Sequence, residues 1–510
     1  MRLKFLVAFA LLATIATHAQ RLSFDNVKTM YIRNSGSIFQ QKEIKGYFFF
    51  YESDKIDKKT NEYTLQILDQ NLNKVKEIKM QESNDFELLE SSYNGDALSF
   101  LFHDYKAKTL ETRLYDMEGK KLYTYTRQLD KKTENFLSQY KLFSNQDYTN
   151  QQMFSVDGKG FITMFPIKEG SKRTYEVQFN SSLKNKQWVY APSDEEKYSE
   201  ATILSCTDSI VVLEVAKRTK AANKPKISIV GLNFETQKKA FEIEEGEDEY
   251  IFLPEYCTNT KGGNNLLIGP YYNKKDNLVK DFSKGIAIYV IDNNGKTISK
   301  AYNNWASDIG KYLPLNEKGK IDDIGYLFFH NVIQASNGSS YVIGEGYKRV
   351  ADGFGIANNI LSGGLQGGNT KIKITDMVVL EFGPDYKIKS ASIHNKRHSD
   401  FLNNAIDLYS QHAFALIIKA MGSFDYAFTL SDKEANNFSF CYRDYEKSSE
   451  YKGQTFNMLR FTGKKFVTDK IQLTTKATNM KVLPAKLGYV MIQEYFRKEK
   501  KISLRLEKVN

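Results

Sequence analysis

An all-β fold made from one repeated unit is what this 510-residue sequence predicts, on three observations. Tyrosine and phenylalanine together supply 66 residues and proline only 8, a balance that suits pleated strands. Alternating apolar runs are broken about every ten residues by Asn, Asp and Gly, which is the punctuation of hairpins. One hairpin shape also keeps returning. Residues 286–300 (IAIYVIDNNGKTISK), 64–78, 111–127 and 376–393 each hold an apolar run, a polar turn and a second alternating run.

Another strand lies just upstream of each such hairpin, and these align as YFFFYES from Tyr47, SFLFHDY from Ser99, ITMFPIK from Ile162 and VVLEVAK from Val211. The series continues with LLIGPYY from Leu266, YVIGEGY from Tyr341, FSFCYRD from Phe438 and YVMIQEY from Tyr489. The spacings are 52, 63, 49, 55, 75, 97 and 51, and each member is preceded by a short strand and turn. Every unit therefore holds four strands, A to D. A four-stranded antiparallel unit at a period of ~40 to 50 residues is the signature of a β-propeller blade, whereas β-helix coils repeat at about half that length. The expected fold is a β-propeller of eight four-stranded blades, with seven as the alternative count, forming one domain over residues 20–510. The last unit stops at its third strand, ISLRLEKVN, so RLSFDNVKTMYI at 21–32 is the spare strand that closes the ring and hides an open edge. Within the hairpins, Asp292, Asn293, Asn294 and Gly295 are turn residues that tolerate positive φ.

Residues 1–19 read as a secretory signal peptide: Arg2 and Lys4 precede an apolar stretch from Phe5 to Ile15, and Thr17-His18-Ala19 is a cleavage signal. No later segment is long and apolar enough to span a membrane, so the expected location is periplasmic or extracellular. Cys206, Cys257 and Cys441 are the only cysteines, and a chain of this length needs no disulfide framework; three free thiols are expected. Without Arg2 and Lys4 the chain carries 70 basic and 61 acidic residues. Only 13 of all 72 basic residues are arginine, whereas nucleic-acid sites favour the bidentate guanidinium. The charge reads as a solvated surface, with no specific nucleic-acid partner, and the protein as a monomer.

Two long insertions decorate one face of the predicted ring. The B-C connection of unit six, residues 350–371, has six glycines in 22 residues. The D-A connection that follows, 399–422, opens with Ser399-Asp400 as a helix cap and places Leu402, Ala405, Ile406, Tyr409 and Ala413 at helical spacing. Binding residues concentrate on loops held by rigid scaffolds, which makes this face the candidate site. Its candidates are the ends of the B strands, namely His103, Asp104 and Tyr105; Glu345 and Tyr347; Tyr442, Arg443 and Asp444; and Glu494 and Tyr495. His330 joins them from the inner strand of unit six. The bland alternative is a solvated rim of polar strand ends, with the insertions serving only as a cap over the channel.

Catalytic motifs are few. His394, His398 and Asp400 lie close in sequence but at a strand end, where spacing of four does not give one face, so no metal is expected. GGLQGG at 363–368 does not follow a strand and open a helix as a phosphate loop would, and no cofactor is expected. The signal ending THAQ, the phrase ASNGSSYVIGEGYK and the D-x-x-G-K hairpins resemble uncharacterised exported Bacteroidota proteins with propeller-like repeats. That resemblance implies fold and export, and it carries over no catalytic residue. The expected function is a non-enzymatic binding or interaction protein with an envelope protein or glycan partner. The alternative is a hydrolase or lyase on an anionic polysaccharide, with Glu345, Glu494 or Asp104 as acid or base and Arg443 orienting a carboxylate.

Overall fold

Eight blades are present in the computed structural model of the chain, spanning 35–83, 86–128, 153–190, 198–244, 250–304, 326–394, 426–472 and 479–508, here blades I to VIII. The structure describes all residues except 1–19, 31–33, 41–42, 144–151, 193–197, 208, 221–223, 245–248, 279, 352–369, 402–410 and 510. Each blade is an antiparallel A-B-C-D sheet, and all eight predicted B strands occupy the second position. Blades III and IV are joined into one sheet by a single parallel bridge between Arg173 and Tyr198.

The ring closes as the sequence expects. Blade VIII takes its outer strand from Arg21–Phe24, which pairs antiparallel with the third strand from Arg21 opposite Arg505 to Phe24 opposite Ile502. The main-chain N–H of Val27 donates to Lys500 O at 2.8 Å, and Phe24, Val27 and Met30 are buried between blades VIII and I. The core is therefore a ring of inter-blade layers. Phe48, Phe50 and Ile67 of blade I pack on Phe86, Phe100 and Phe102 of blade II, and every later junction has its own cluster.

This arrangement explains the strand composition. A second strand is covered on both faces by neighbouring blades and so reads as a continuous apolar run: Leu98–Asp104 is buried at all but its last residue. An outermost strand faces solvent, and Lys74–Ser83 is exposed or half-buried throughout.

Two helices stand on the face where D-A connections emerge. Helix α1, Lys131–Phe143, follows blade II and was not anticipated. Asp130 caps it, its Oδ1 accepting the N–H groups of Lys132 at 2.7 Å and Thr133 at 2.9 Å. Helix α2, Gln411–Ala420, lies between blades VI and VII. Here the expected helix start is corrected. Ser399–Phe401 forms a strand that pairs with Ile372–Ile374, so Ser399 and Asp400 are not a cap: the long C strand of blade VI offers its free edge, and pairing there satisfies the main chain. Leu402, Ala405, Ile406 and Tyr409 lie outside the described residues, as does most of the glycine-rich insertion. The arms of that insertion remain paired as far as Ala351 opposite Thr370. Phe414, Ala415 and Ile418 of α2 pack on Tyr347, Ile372 and Ile374 of these arms.

Candidate functional site

The inner strands of blades I and III to VIII, together with α1 and the end of α2, enclose a central cavity of about 1350 Å³. Aromatic rings make much of its wall, among them Phe136, Phe154, Tyr175, Tyr256, Phe424 and Tyr426. Titratable groups also reach it: Lys132 from α1, Glu255, His330, Lys419 from α2, Asp425 and Arg443.

The inner strand of blade V is locally irregular, and this positions Glu255 and Tyr256. Tyr250–Phe252 and Tyr256–Asn259 pair with different stretches of the same B strand, and Leu253 to Glu255 bow out between them. Gly269 lies beneath the bow, where an added Cβ would come within 2.0 Å of Leu253 O, so only glycine lets the two main chains approach.

At the junction of blades VI and VII the wall is backed by a buried charge cluster. Glu345, on the B strand Ser340–Ala351, is fully buried. It accepts main-chain N–H groups of Asp425 at 3.1 Å and Tyr426 at 3.2 Å. Lys396 Nζ lies 3.1 Å from Glu345 Oε1 and 2.5 Å from Asp425 Oδ2, and its side chain is fully buried. Ser399 Oγ donates to Asp425 Oδ2 at 3.0 Å. His330 Nε2 lies 3.3 Å from Glu345 Oε2. The imidazole is stacked on Tyr426 at 4.7 Å and edge-on to Phe424 at 4.8 Å.

Burial dominates the acid-base properties of this wall. It would raise the Glu345 carboxyl, but Lys396 and His330 beside it hold the group below the usual carboxylate range. Burial pushes Asp425 up to about 6, with the Glu345 charge adding to the effect and Lys396 opposing it. It lowers His330 and Lys419, whose charged forms lose hydration. Glu214, on the B strand of blade IV, is raised to about 7 by burial and by Glu255.

Of the residues singled out from sequence, His330 and Arg443 line the cavity and Glu345 stands directly behind His330. The others have structural partners. His103 is buried 4.0 Å from the Tyr105 ring, the Tyr105 hydroxyl donates to Glu87, and Asp104 Oδ1 accepts the N–H of Lys106 and Ala107 in a tight turn. Tyr347 packs under α2, and Tyr442 belongs to the layer between blades VI and VII. Asp444 accepts the N–H of Arg397 at 2.9 Å, Glu494 is paired with Arg505, and Tyr495 donates its hydroxyl to Lys28 O at 3.0 Å. His394 bonds Ser392 Oγ, His398 faces Asp376 and Asp400 pairs with Lys371. Among the described residues, no group of three or more His, Cys, Asp or Glu side chains is placed to hold a metal. Cys206, Cys257 and Cys441 are free thiols.

Sequence reasoning missed Lys396, Asp425, Lys419 and Tyr256. Only α1 had a readable local signal, the Asp130 cap followed by Thr133 and Glu134.

Residues 1–510 match the family described as "Family of unknown function (DUF6770)", and the chain belongs to it. No curated protein matches the chain. Among solved structures it is similar to the WD40 domain of SCAP from fission yeast, with 9% identity over 95% of this chain and 98% of that one and a TM-score of 0.35. It is also similar to the β-propeller domain of the Trilobed protease from Pyrococcus furiosus, with 10% identity over 74% of this chain and 97% of that one and a TM-score of 0.32.

Proposed function

We propose that this member of the family is an exported ligand-binding protein of the cell envelope, whose ligand is a glycan seated in the central channel. The observation that carries this reading is the cavity of about 1350 Å³, where inner-strand side chains and both helical insertions converge. Strand pairing within the blades requires neither helix, and ordering such excursions costs entropy unless they pack or bind. Both insertions place side chains on the channel wall: Lys132 and Phe136 come from one and Lys419 from the other. Aromatic rings beside a few polar groups are the composition of sites that hold a carbohydrate or other small ligand.

The reading is tested by exposing the mature protein to an envelope extract and identifying retained compounds by mass spectrometry. Thr202→Trp is the companion variant, because Thr202 is solvent-exposed on the channel wall and a bulky ring there fills space without entering the core. A glycan retained by the natural protein and lost by T202W, at equal melting temperature, is the expected result. Retention by both, or by neither, would defeat the proposal, and a retained peptide would move the partner from glycan to protein. A second reading, a hydrolase or lyase, is favoured by Asp425, whose carboxyl is pushed up to about 6 on the same wall as Glu255 and Arg443. Conversion of the retained glycan during the incubation would decide for it.

A further inference from the structure

We propose that Lys419 is the anchor for a carboxylate of the ligand, so that the channel selects singly charged acids over neutral compounds and over phosphate. This rests on the channel-binding reading and specifies which ligand chemistry the channel takes.

Lys419 lies in the last turn of α2 and lines the cavity. Among the described residues, no carboxylate lies within ion-pair distance of its ammonium. Its contacts are the Tyr256 hydroxyl at 3.4 Å and the faces of Tyr256 and Phe328, 5.4 and 5.3 Å from Nζ to the ring centres. Ring faces and a helix C-terminus favour a cation, but neither provides the compact anionic partner that offsets the lost hydration of a buried ammonium. Lys396, which like Lys419 acts on His330 through space, shows the contrast, since it is clamped between Glu345 and Asp425. The Tyr256 hydroxyl donates to Phe329 O, so the Lys419 ammonium spends one donor on the phenol and has two more to offer.

The surroundings choose the anion. Glu255 acts on Lys419 through space without pairing with it, and Glu345 and Asp425 lie behind His330 and along the same wall. A doubly charged phosphate would meet these carboxylates at close range, whereas a single carboxylate can be balanced by one ammonium. Burial lowers His330, with Glu345 opposing and the nearby Lys419 and Lys396 charges adding to the effect, and its Nε2 lies 3.3 Å from Glu345 Oε2. Rings of Tyr256, Phe424 and Tyr426 provide apolar surface for the body of the acid, such as the pyranose face of a uronic acid.

The test uses the mature protein, Lys419→Met, and Lys498→Met as an exposed surface control. Each is titrated calorimetrically with glucuronate, octanoate and inorganic phosphate at constant ionic strength. The natural protein and K498M should bind at least one carboxylate saturably and more tightly than phosphate. K419M should weaken that binding at least tenfold while melting at the same or a higher temperature, because methionine fills the space without a buried charge. Equal carboxylate binding by K419M, tighter binding of phosphate, or saturable binding of none of the three probes would overturn the assignment. The extract experiment separates this failure from that of the channel reading: a retained neutral glycan that T202W loses leaves the channel as the site and removes Lys419 as its selector.

Discussion

Glu345 shows how a residue can be visible in sequence while its environment is not. The motif YVIGEGY places a carboxylate in an otherwise buried B strand, which is reason enough to single it out. Its counter-charges come from Lys396, in the connection after blade VI, and from main-chain N–H groups at Asp425 and Tyr426, about eighty residues further along. No local pattern announces such a meeting, because it is created by the packing of blade VI against blade VII. The same holds for Glu214, which reads as one charge in VVLEVAK yet is raised to about 7 by burial and Glu255. Its folded form keeps a proton that the unfolded chain releases near the ordinary 4.5. Stability contributed by this group is therefore present at low pH and is lost as pH rises from about 4.5 to about 7, and Asp425 adds a change of the same sign up to about 6. Urea unfolding at intervals from pH 4.5 to 7.5 should show a fall of which Glu214→Gln removes the part, on the order of 3 kcal/mol, that Glu214 contributes, while the part from Asp425 remains. A slope untouched by that substitution would show that Glu214 titrates normally in the folded protein.

Elements were legible in proportion to how repetitive they are. All eight B strands and the C-D hairpins follow from period-two apolar runs bounded by Asn, Asp and Gly, since each blade solves the same packing problem. The insertions obey no repeat. Ser399-Asp400 has the composition of a helix cap, but the C strand of blade VI runs long enough to capture it as a strand, and the local preference loses to main-chain pairing. Helix α1 was overlooked because its apolar positions are sparse, although Asp130 marks its start. The strand Arg21–Phe24 is the element on which closure depends. Removing residues 20–30 strips a paired edge and three buried side chains, Phe24, Val27 and Met30, from the layer between the first and last blades. That truncation should aggregate or melt far below the chain that begins at Gln20. Phe24→Ala should cost about 3 kcal/mol in denaturant unfolding, in line with loss of a buried ring. Unchanged stability in both variants would mean the ring closes without this strand.

At the scale of the whole molecule, the fold is a ring of hydrophobic layers between blades, and the space on its axis is what the layers leave over. A ring of eight blades sets inner strands far enough apart to leave a cavity of about 1350 Å³, and the two helices on one face bring further aromatic and charged groups to its wall. The ring was legible in the sequence, because each blade repeats the same strand pattern; the channel chemistry emerged only when groups from blades V, VI and VII and from both helices met on the axis. Hydrogen exchange on the chain from Gln20 onward, with and without the compound it retains from the extract, tests the central claim most directly. Binding in the channel predicts added protection at the inner-strand segments 255–259, 330–333 and 422–431 and none on the outer strands at 74–83 and 466–472. Protection confined to the outer strands, with the inner strands exchanging as before, would contradict it.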